Sequence, residues 1–490
     1  MQELIRILNL RLSKLLGLAA LIIGVGTGCF ITKLSVLDND VWWHLSVGDW
    51  IVRNRAFPHT GILSRTAAAR PWMAYSWGYE VLLSSFYNGF GFMGMALFGT
   101  ALTIAVAIVL FWMMRQLSGR FWVAWSLSVV LYCAFLFNIM PRPVFFTMIL
   151  FAITLTLILK GQRSGRVELL YWLPLIFVLW SNVHIQFIYG LFAVALFAGI
   201  NLLQRAALSL LAYPDILLPP TLPLGKILLI AASCVPASCV GPYSFHLYHV
   251  IFAYSTSKFM YSIITELQAL SFTGLSHYLE LMLAAGAFFA LGCQKKLDPF
   301  KLSLLVVVSV FAFRTTRDAW FLCITAAAFI ADLPAAEADR EQPFSFPEYT
   351  GLAIAIVFFL ILIARNTDFN QRGLDRTISN QFPVDAVNFL RKHSVGGPLY
   401  NSFNWGGFLI FYMPQYEVAI DGRSDAYGDE LSSQFYATES ANAPLDANPY
   451  LNDAGVVLLD KTVPLAKLLP TDRRFRVIYH DQLAVIFTRN

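Results

Sequence analysis

The chain has 490 residues, of which 57% are hydrophobic and only 13% charged, with a formal net charge of +5. Soluble globular chains carry about 25% charged residues, so this composition excludes a soluble enzyme and points to a polytopic membrane protein. Residues 379–490 hold 9 Lys/Arg against 12 Asp/Glu, so the excess positive charge lies in the remainder. Basic loops facing an anionic leaflet account for it, and no nucleic-acid partner is needed.

The N-terminus places Arg6, Arg11 and Lys14 before an apolar run, which mimics a signal peptide. No A-x-A site follows, and Thr27-Gly28-Cys29 is only faintly like a lipoprotein cleavage box, so 16–37 is read as a retained first span. Directly after it comes Asp38-Asn-Asp40-Val-Trp-Trp-His44. Charge at that depth is costly and usually functional, whereas Trp residues alone would be interface anchors. The first outer loop, 38–90, continues through Gly48-Asp49-Trp50, Phe57-Pro-His59, Leu63-Ser64-Arg65-Thr66 and Tyr75-Ser-Trp77-Gly-Tyr-Glu80. Its end, 77–90, reads as an amphipathic lead-in to the next span.

Further apolar runs fall at 91–114, 121–140, 143–159, 168–181, 185–203, 226–240, 277–293, 300–313, 319–331 and 350–364, making about eleven spans. Several are shorter than the roughly 20 residues a crossing helix needs. With the N-terminus in the cytoplasm, Arg115, Arg120, Lys160, Arg163, Arg166, Arg205, Lys295, Lys296 and Lys301 all fall inside, as the positive-inside rule requires. The loop around 53–70 runs against the rule. All eight histidines then land outside, with the turns Asn138–Arg142, Asn182-Val-His184-Ile-Gln186, Gly241–His246 and Arg314-Thr-Thr-Arg317-Asp318. The inner loops are short basic connectors and a Leu/Pro-rich stretch at 213–225. Chemistry is therefore expected on the outer face. The six cysteines lie in apolar runs and form neither a disulfide framework nor a zinc spacing.

Residues 366–380 read as a polar linker, which makes 1–365 the membrane domain and 381–490 a small extracytoplasmic α/β domain. In the latter the pattern predicts a helix over 384–393, strands over 398–412, 417–421 and 455–459, and a hairpin over 476–488. The fold class is thus mainly α, a transmembrane helix bundle carrying a C-terminal α/β domain.

The acidic pair after the first span, followed by an aromatic and partly helical outer loop, resembles the GT-C superfamily of integral membrane glycosyltransferases. Within it the layout is similar to protein O-mannosyltransferases and lipid A aminoarabinose transferases, over residues 10–365. The resemblance implies a polyprenyl-phosphate-linked sugar donor and a catalytic Asp in the first outer loop. Glycosyl transfer passes through an oxocarbenium-like state, and a carboxylate can deprotonate the attacking hydroxyl. Asp38 and Asp40 are the base candidates. In some relatives paired Asp residues hold a divalent metal, so the D-x-D leaves base and metal ligand both open, and no cofactor is fixed. Two Asp residues alone do not make a metal site.

Arg142, Arg314 and Arg317 stand at outer helix ends and are candidates for the donor phosphate, since guanidinium binds phosphate bidentately; snorkelling is the plainer reading. Asn182 and His184 either line a cavity or make interhelical hydrogen bonds. His44 would orient a carboxylate or contact the donor. In the C-terminal region, Asn404-Trp405-Gly406-Gly407 and Asp421-Gly-Arg423-Ser-Asp425 read as turns. Their arrangement loosely resembles oligosaccharyltransferase catalytic subunits, whose Trp-Trp-Asp-Tyr-Gly motif this chain lacks, so sequon recognition does not carry over.

The reading is a multi-pass inner-membrane glycosyltransferase moving a sugar from a polyprenyl-phosphate donor to an acceptor hydroxyl that the sequence leaves unidentified. The alternatives are a transporter or flippase for a lipid-linked intermediate, or a non-catalytic assembly protein whose outer domain binds a partner. A transporter should show internal repeats and polar residues deep in the spans; no repeat is found, and the polar residues crowd one face.

Overall fold

The computed structural model describes residues 2–136, 139–210, 215–333, 344–393 and 395–490. Asn138, part of one expected outer turn, and residues 213–214 of the expected inner stretch lie outside them. Every apolar run read from the sequence is helical over most of its described residues. Among those residues, six helices are long and apolar enough to cross a membrane: Asn9–Leu37, Trp77–Ser118, Val144–Ser164, Phe187–Leu208, Leu275–Gly292 and Phe346–Asn366. Phe121–Phe135, Val167–Val183 and Leu224–Ser238 are shorter apolar helices. Pro299–Arg314 and Ala319–Ala331 have 16 and 13 residues. The chain is a multi-pass membrane protein. Ile354, Val357, Phe358 and Ile361 on one helix are all more than half exposed, as suits side chains whose solvent is hydrocarbon.

The chain divides into two compact units. The first comprises Met1–Thr32, Gly99–Phe245 and Ile264–Thr367. Its centre is Ala319–Ala331, buried almost all round, where five alanines let neighbouring helices approach closely. Phe346–Asn366 packs along the first helix. A capping box of Ser345 and Glu348 starts it, and Arg11 donates to the Glu348 carboxylate at 2.6 Å.

The second unit comprises Lys33–Phe98, His246–Ile263 and Asp368–Asn490, so the loop 38–90 belongs with the C-terminal region. Within the stretch expected as a linker, 366–380, most residues form the helix Gln371–Gln381, with Leu374 and Ile378 buried. The lead-in 77–90 and the next span are one helix, Trp77–Ser118, interrupted at Gly91, whose φ of 62° only glycine adopts at no steric cost.

A four-stranded sheet runs in the order β1 (Leu399–Asn401), β2 (Val456–Asp460), β4 (Ala484–Arg489), β3 (Phe475–His480). β1 and β2 are parallel, and the other pairs are antiparallel. The expected hairpin and the strand near 455–459 are thereby present. The expected strand at 398–412 is a correction: only its first residues are strand, and Gly406–Tyr412 is a helix. That helix packs on Val41–Asn54, where Trp42 meets Phe382 and Phe408 edge-on at 5.4 and 5.5 Å. Burial of aromatic surface outweighs the strand propensity of Phe408–Tyr412.

Residues 417–421 form no strand either; Val418 makes a single parallel bridge with Ser64. Arg65 donates its backbone N–H to the Val418 carbonyl, and Thr66 its hydroxyl to that of Ala419. Asn401 at the end of β1 holds the other side, donating to the Ile420 carbonyl and accepting from the Ala419 N–H. The loop of Ser64 to Thr66 is stitched in this way to the segment beside the sheet.

Candidate functional site

The short helix Leu34–Leu37 ends at Asp38. The Asp38 Oδ1 accepts the backbone N–H of Asp40 at 3.0 Å, a local turn that launches the helix Val41–Asn54. Asp38 is buried, at 3% exposure, whereas Asp40 is partly exposed. The Asp40 Oδ1 accepts the indole N–H of Trp43 at 3.1 Å. Two glycines wall this loop. A Cβ on Gly422 would stand 2.1 Å from the Asp40 Oδ1, and one on Gly407 would stand 2.7 Å from the Asn39 carbonyl. The segments expected as turns are helix starts: Asn404–Gly407 runs from a 3-10 turn into the helix Gly406–Tyr412, and Asp421–Asp425 is a bend leading into the helix Ser424–Glu439; both let the backbone approach the acidic loop.

His44 is buried and its Nδ1 lies 3.0 Å from Oε1 of Glu80, itself fully buried. The His44 ring rests against Trp43, with ring centres 3.5 Å apart. Glu80 was quoted in the sequence but carried no role there. Nothing in the sequence pairs it with a histidine 36 positions earlier.

A second buried group pins the loop. Arg423 bonds Asp421 through two guanidinium nitrogens at 2.9 and 2.7 Å, with neither side chain exposed. It also donates to the Ile62 carbonyl and lies over the Trp72 ring at 4.8 Å. Tyr427 donates to the same carboxylate at 2.6 Å. Burial opposes the charge on Asp421, but Arg423 and these hydrogen bonds outweigh it and hold the carboxyl below its usual range. Breaking one partner of such a pair leaves the other charge buried alone.

Asp425 is the opposite case. Burial, chiefly, pushes its carboxyl up to about 7, while Arg423 pulls the other way. Its Oδ1 is buried without a hydrogen-bond partner. Asp425 lines a cavity of about 280 Å³ with Tyr254, Ser257, Met260, Gly428 and Asp429. Ser257 donates to Asp429 across it.

In the first unit, Arg142 and Arg317 converge on one carboxylate. The Arg142 Nη1 lies 3.7 Å from Oε1 of Glu266, and Arg317 donates to the same oxygen. Burial disfavours the Glu266 charge, but Arg317 and then Arg142 outweigh it and lower its pKa. Two guanidiniums thus meet at one carboxylate, with Asp318 close enough to feel Arg317. Glu266 was absent from the sequence reading, and no spacing signals it.

Arg314 is exposed at the end of Pro299–Arg314 and does not join that carboxylate; with Arg317 it acts electrostatically on Asp318. The His184 Nδ1 is 2.8 Å from the Thr147 hydroxyl, which also accepts the Trp180 indole N–H. Burial and then the Arg317 charge depress the His184 pKa to about 3, so this imidazole is neutral. Asn182 donates to the Val178 and Val240 carbonyls, both at 2.7 Å, which accounts for it as an interhelical contact.

Among the described residues no three His, Cys, Asp or Glu side chains are grouped as metal ligands. Asp38 and Asp40 alone fall short of the six to eight oxygens that calcium takes, or the octahedral set of magnesium.

No family model matches the sequence, and no curated protein matches it. Solved structures do. The archaeal oligosaccharyltransferase AglB from Archaeoglobus fulgidus, in complex with an inhibitory peptide and a dolichol-phosphate, superposes with a TM-score of 0.53 at 11% identity, over 91% of this chain and 69% of that one. The apo form of the A. fulgidus oligosaccharyltransferase gives 0.52 at 10% identity, with the same coverage. ArnT from Cupriavidus metallidurans, bound to undecaprenyl phosphate, gives 0.45 at 13% identity, over 96% and 97%. At this identity the likeness to AglB is one of fold, and it agrees with the resemblance read from the acidic loop.

Proposed function

We propose that this chain, which shares the fold of an archaeal oligosaccharyltransferase, is a glycosyltransferase using a polyprenyl-phosphate-linked sugar. The observation that carries the reading is the acidic loop. Asp40 presents a partly exposed carboxylate, aimed by Trp43 and backed by glycine, in a chain whose fold is that of lipid-linked sugar transfer.

Asp40 is the base. Its carboxylate takes the proton of the acceptor hydroxyl as that oxygen bonds to the anomeric carbon. The bond from this carbon to the phosphate oxygen breaks, and the polyprenyl phosphate leaves with the electron pair. Asp38 spends an oxygen on the turn that positions Asp40, so its part is to hold the loop. Arg142 and Arg317 are assigned to the lipid phosphate, a role that two guanidiniums gathered at one point support. His184 and Arg314 are lesser candidates for the donor, and His44 acts on the carboxylate loop. The acceptor is a hydroxyl compound of open identity. The N-terminus is cytoplasmic, the acidic loop and residues 381–490 face outward, and the membrane is the inner one.

The test is release of polyprenyl phosphate from a polyprenyl-phosphate-linked radiolabelled hexose in membranes containing the full chain, with transfer of label to water-soluble or protein material. Asp40→Asn keeps shape and removes basicity, so it should lower transfer at least about 100-fold with expression unchanged. Full activity in both Asp40→Asn and Asp38→Asn would refute the assignment. Movement of the intact lipid-linked sugar across vesicles, without release, would favour a flippase.

A further inference from the structure

We infer that Glu80 is a positioning residue for Asp40, acting through the His44 ring and the Trp43 indole. The inference rests on the reading of Asp40 as the base.

The chain of contacts is short and buried. Glu80 Oε1 and His44 Nδ1 are 3.0 Å apart, at 1% and 6% side-chain exposure. That bond fixes the imidazole plane. The plane lies against the Trp43 ring at 3.5 Å, tilted by 32°, and so restricts the indole to one rotamer. In that rotamer the indole N–H reaches Asp40 Oδ1 at 3.1 Å. A second carboxyl therefore governs the direction of the first without touching it.

Two further observations make a purely structural role a poor account of Glu80. Its Oε2 is buried with no hydrogen-bond partner. Burying an unsatisfied carboxyl oxygen is destabilising, and an apolar side chain of similar size would pack there without that penalty. The helix of His44 also accommodates the Glu80 backbone closely: a Cβ on Gly48 would stand 2.0 Å from the Glu80 carbonyl oxygen. The close approach brings Glu80 to the one face of Val41–Asn54 from which its carboxyl reaches His44. Arg423 and Asp425 act on Glu80 electrostatically, and Tyr79 meets the His44 ring edge-on at 5.3 Å. No cation is bonded to Glu80 among the ion pairs of the described residues, so His44 is its polar partner.

The experiment uses the full chain in detergent or nanodiscs and two readouts. With 15N-tryptophan labelling, Trp43→Phe identifies the Trp43 indole signal by its disappearance. Glu80→Gln should shift that signal, because the ring against it is reoriented; an unmoved signal overturns the inference.

The second readout is a double-mutant cycle in turnover of the polyprenyl-phosphate-linked hexose. Trp43→Phe and Glu80→Gln should each lower kcat roughly tenfold, the worth of one hydrogen bond to a carboxylate, with KM unchanged. The double variant should be no slower than either single one, with all melting midpoints close to the parent. Losses that multiply, or that track a fall in melting midpoint, would show Glu80 acting by another route and overturn the inference. Asp40→Asn is the control on the reading beneath it. If that variant turns over normally while the indole signal still moves in Glu80→Gln, the contact chain stands and the base assignment fails.

Discussion

Asp425→Asn should stabilise the protein, and by an amount that grows with pH. The Asp425 carboxyl sits at about 7 rather than 3.8, chiefly because burial penalises its charged form. A carboxyl whose pKa is higher folded than unfolded binds more protons in the native state between those two values. Stability therefore falls as pH rises from about 4 to about 7, and the loss is complete above that. At 1.36 kcal/mol per pKa unit, the shift of about three units sets a ceiling of about 4 kcal/mol, which water entering the adjoining cavity reduces. Asparagine keeps the shape and cannot ionise. The difference between variant and parent should be about a quarter of its full value at pH 4.5, rise through pH 6, and level off above pH 7.5. Thermal unfolding of the solubilised full chain, followed by intrinsic fluorescence at pH 4.5 to 8.5, measures it. Other buried acids titrate in both proteins and cancel in the difference. A constant offset, or a variant less stable than the parent at pH 8, would refute the reasoning. Asp425 would then be ionised and paired.

Arg317→Ala should weaken binding of undecaprenyl phosphate, read by native mass spectrometry, by about tenfold or more, and Arg317→Lys should restore part of it because an ammonium lacks the planar fork. Glu266→Gln should tighten the same binding, since the carboxylate that competes for Arg142 and Arg317 is gone; unchanged affinity in both variants would remove the phosphate assignment. Gly422→Ala, whose Cβ would meet Asp40 Oδ1 at 2.1 Å, should abolish transfer in the same membrane assay, whereas Gly225→Ala, with nothing within 4 Å, should not. Cysteines introduced at the exposed Ala68 and Asn442 should both react with an impermeant maleimide from outside the cell; Ser64, at 1% exposure, would be a poor probe of that loop. Reaction at one site alone would overturn the proposed orientation.

The membrane helices were legible because their signal is local: a continuous apolar run has few alternatives to helix once water is excluded. The division read at 90/91 falls at the break at Gly91, in a stretch that also holds Gly89 and Gly94; that both halves belong to one helix was not legible. Phe408-Leu-Ile-Phe-Tyr412 shows why the C-terminal region was harder. Aromatic and β-branched residues read as strand, yet here five apolar side chains in a row wind onto the helix of Trp42. Residues 417–421 also read as strand. They instead hold their backbone partners by side chains, through Asn401, Ser64 and Thr66, which periodicity does not encode.

The same distinction runs through the site. Composition at the end of the first span singled out Asp38, Asp40 and His44, because charge there needs a reason. What the sequence could not supply was the partner of each. Glu80 follows His44 by 36 positions, and Glu266 precedes Arg317 by 51. Gly422 comes far later in the chain than the carboxylate it backs. An ionisable residue announces itself by its cost wherever it is buried. Its compensation is a matter of which segments meet, and a glycine that permits the meeting has no chemistry of its own to be noticed by. Gly407 and Gly422 were accordingly read as turns; Gly422 does lie in a bend, whereas Gly407 lies in the first turn of the helix Gly406–Tyr412. Only the fold reveals that a methyl group at either would collide with the acidic loop, and that the two segments are part of what holds Asp40 in place.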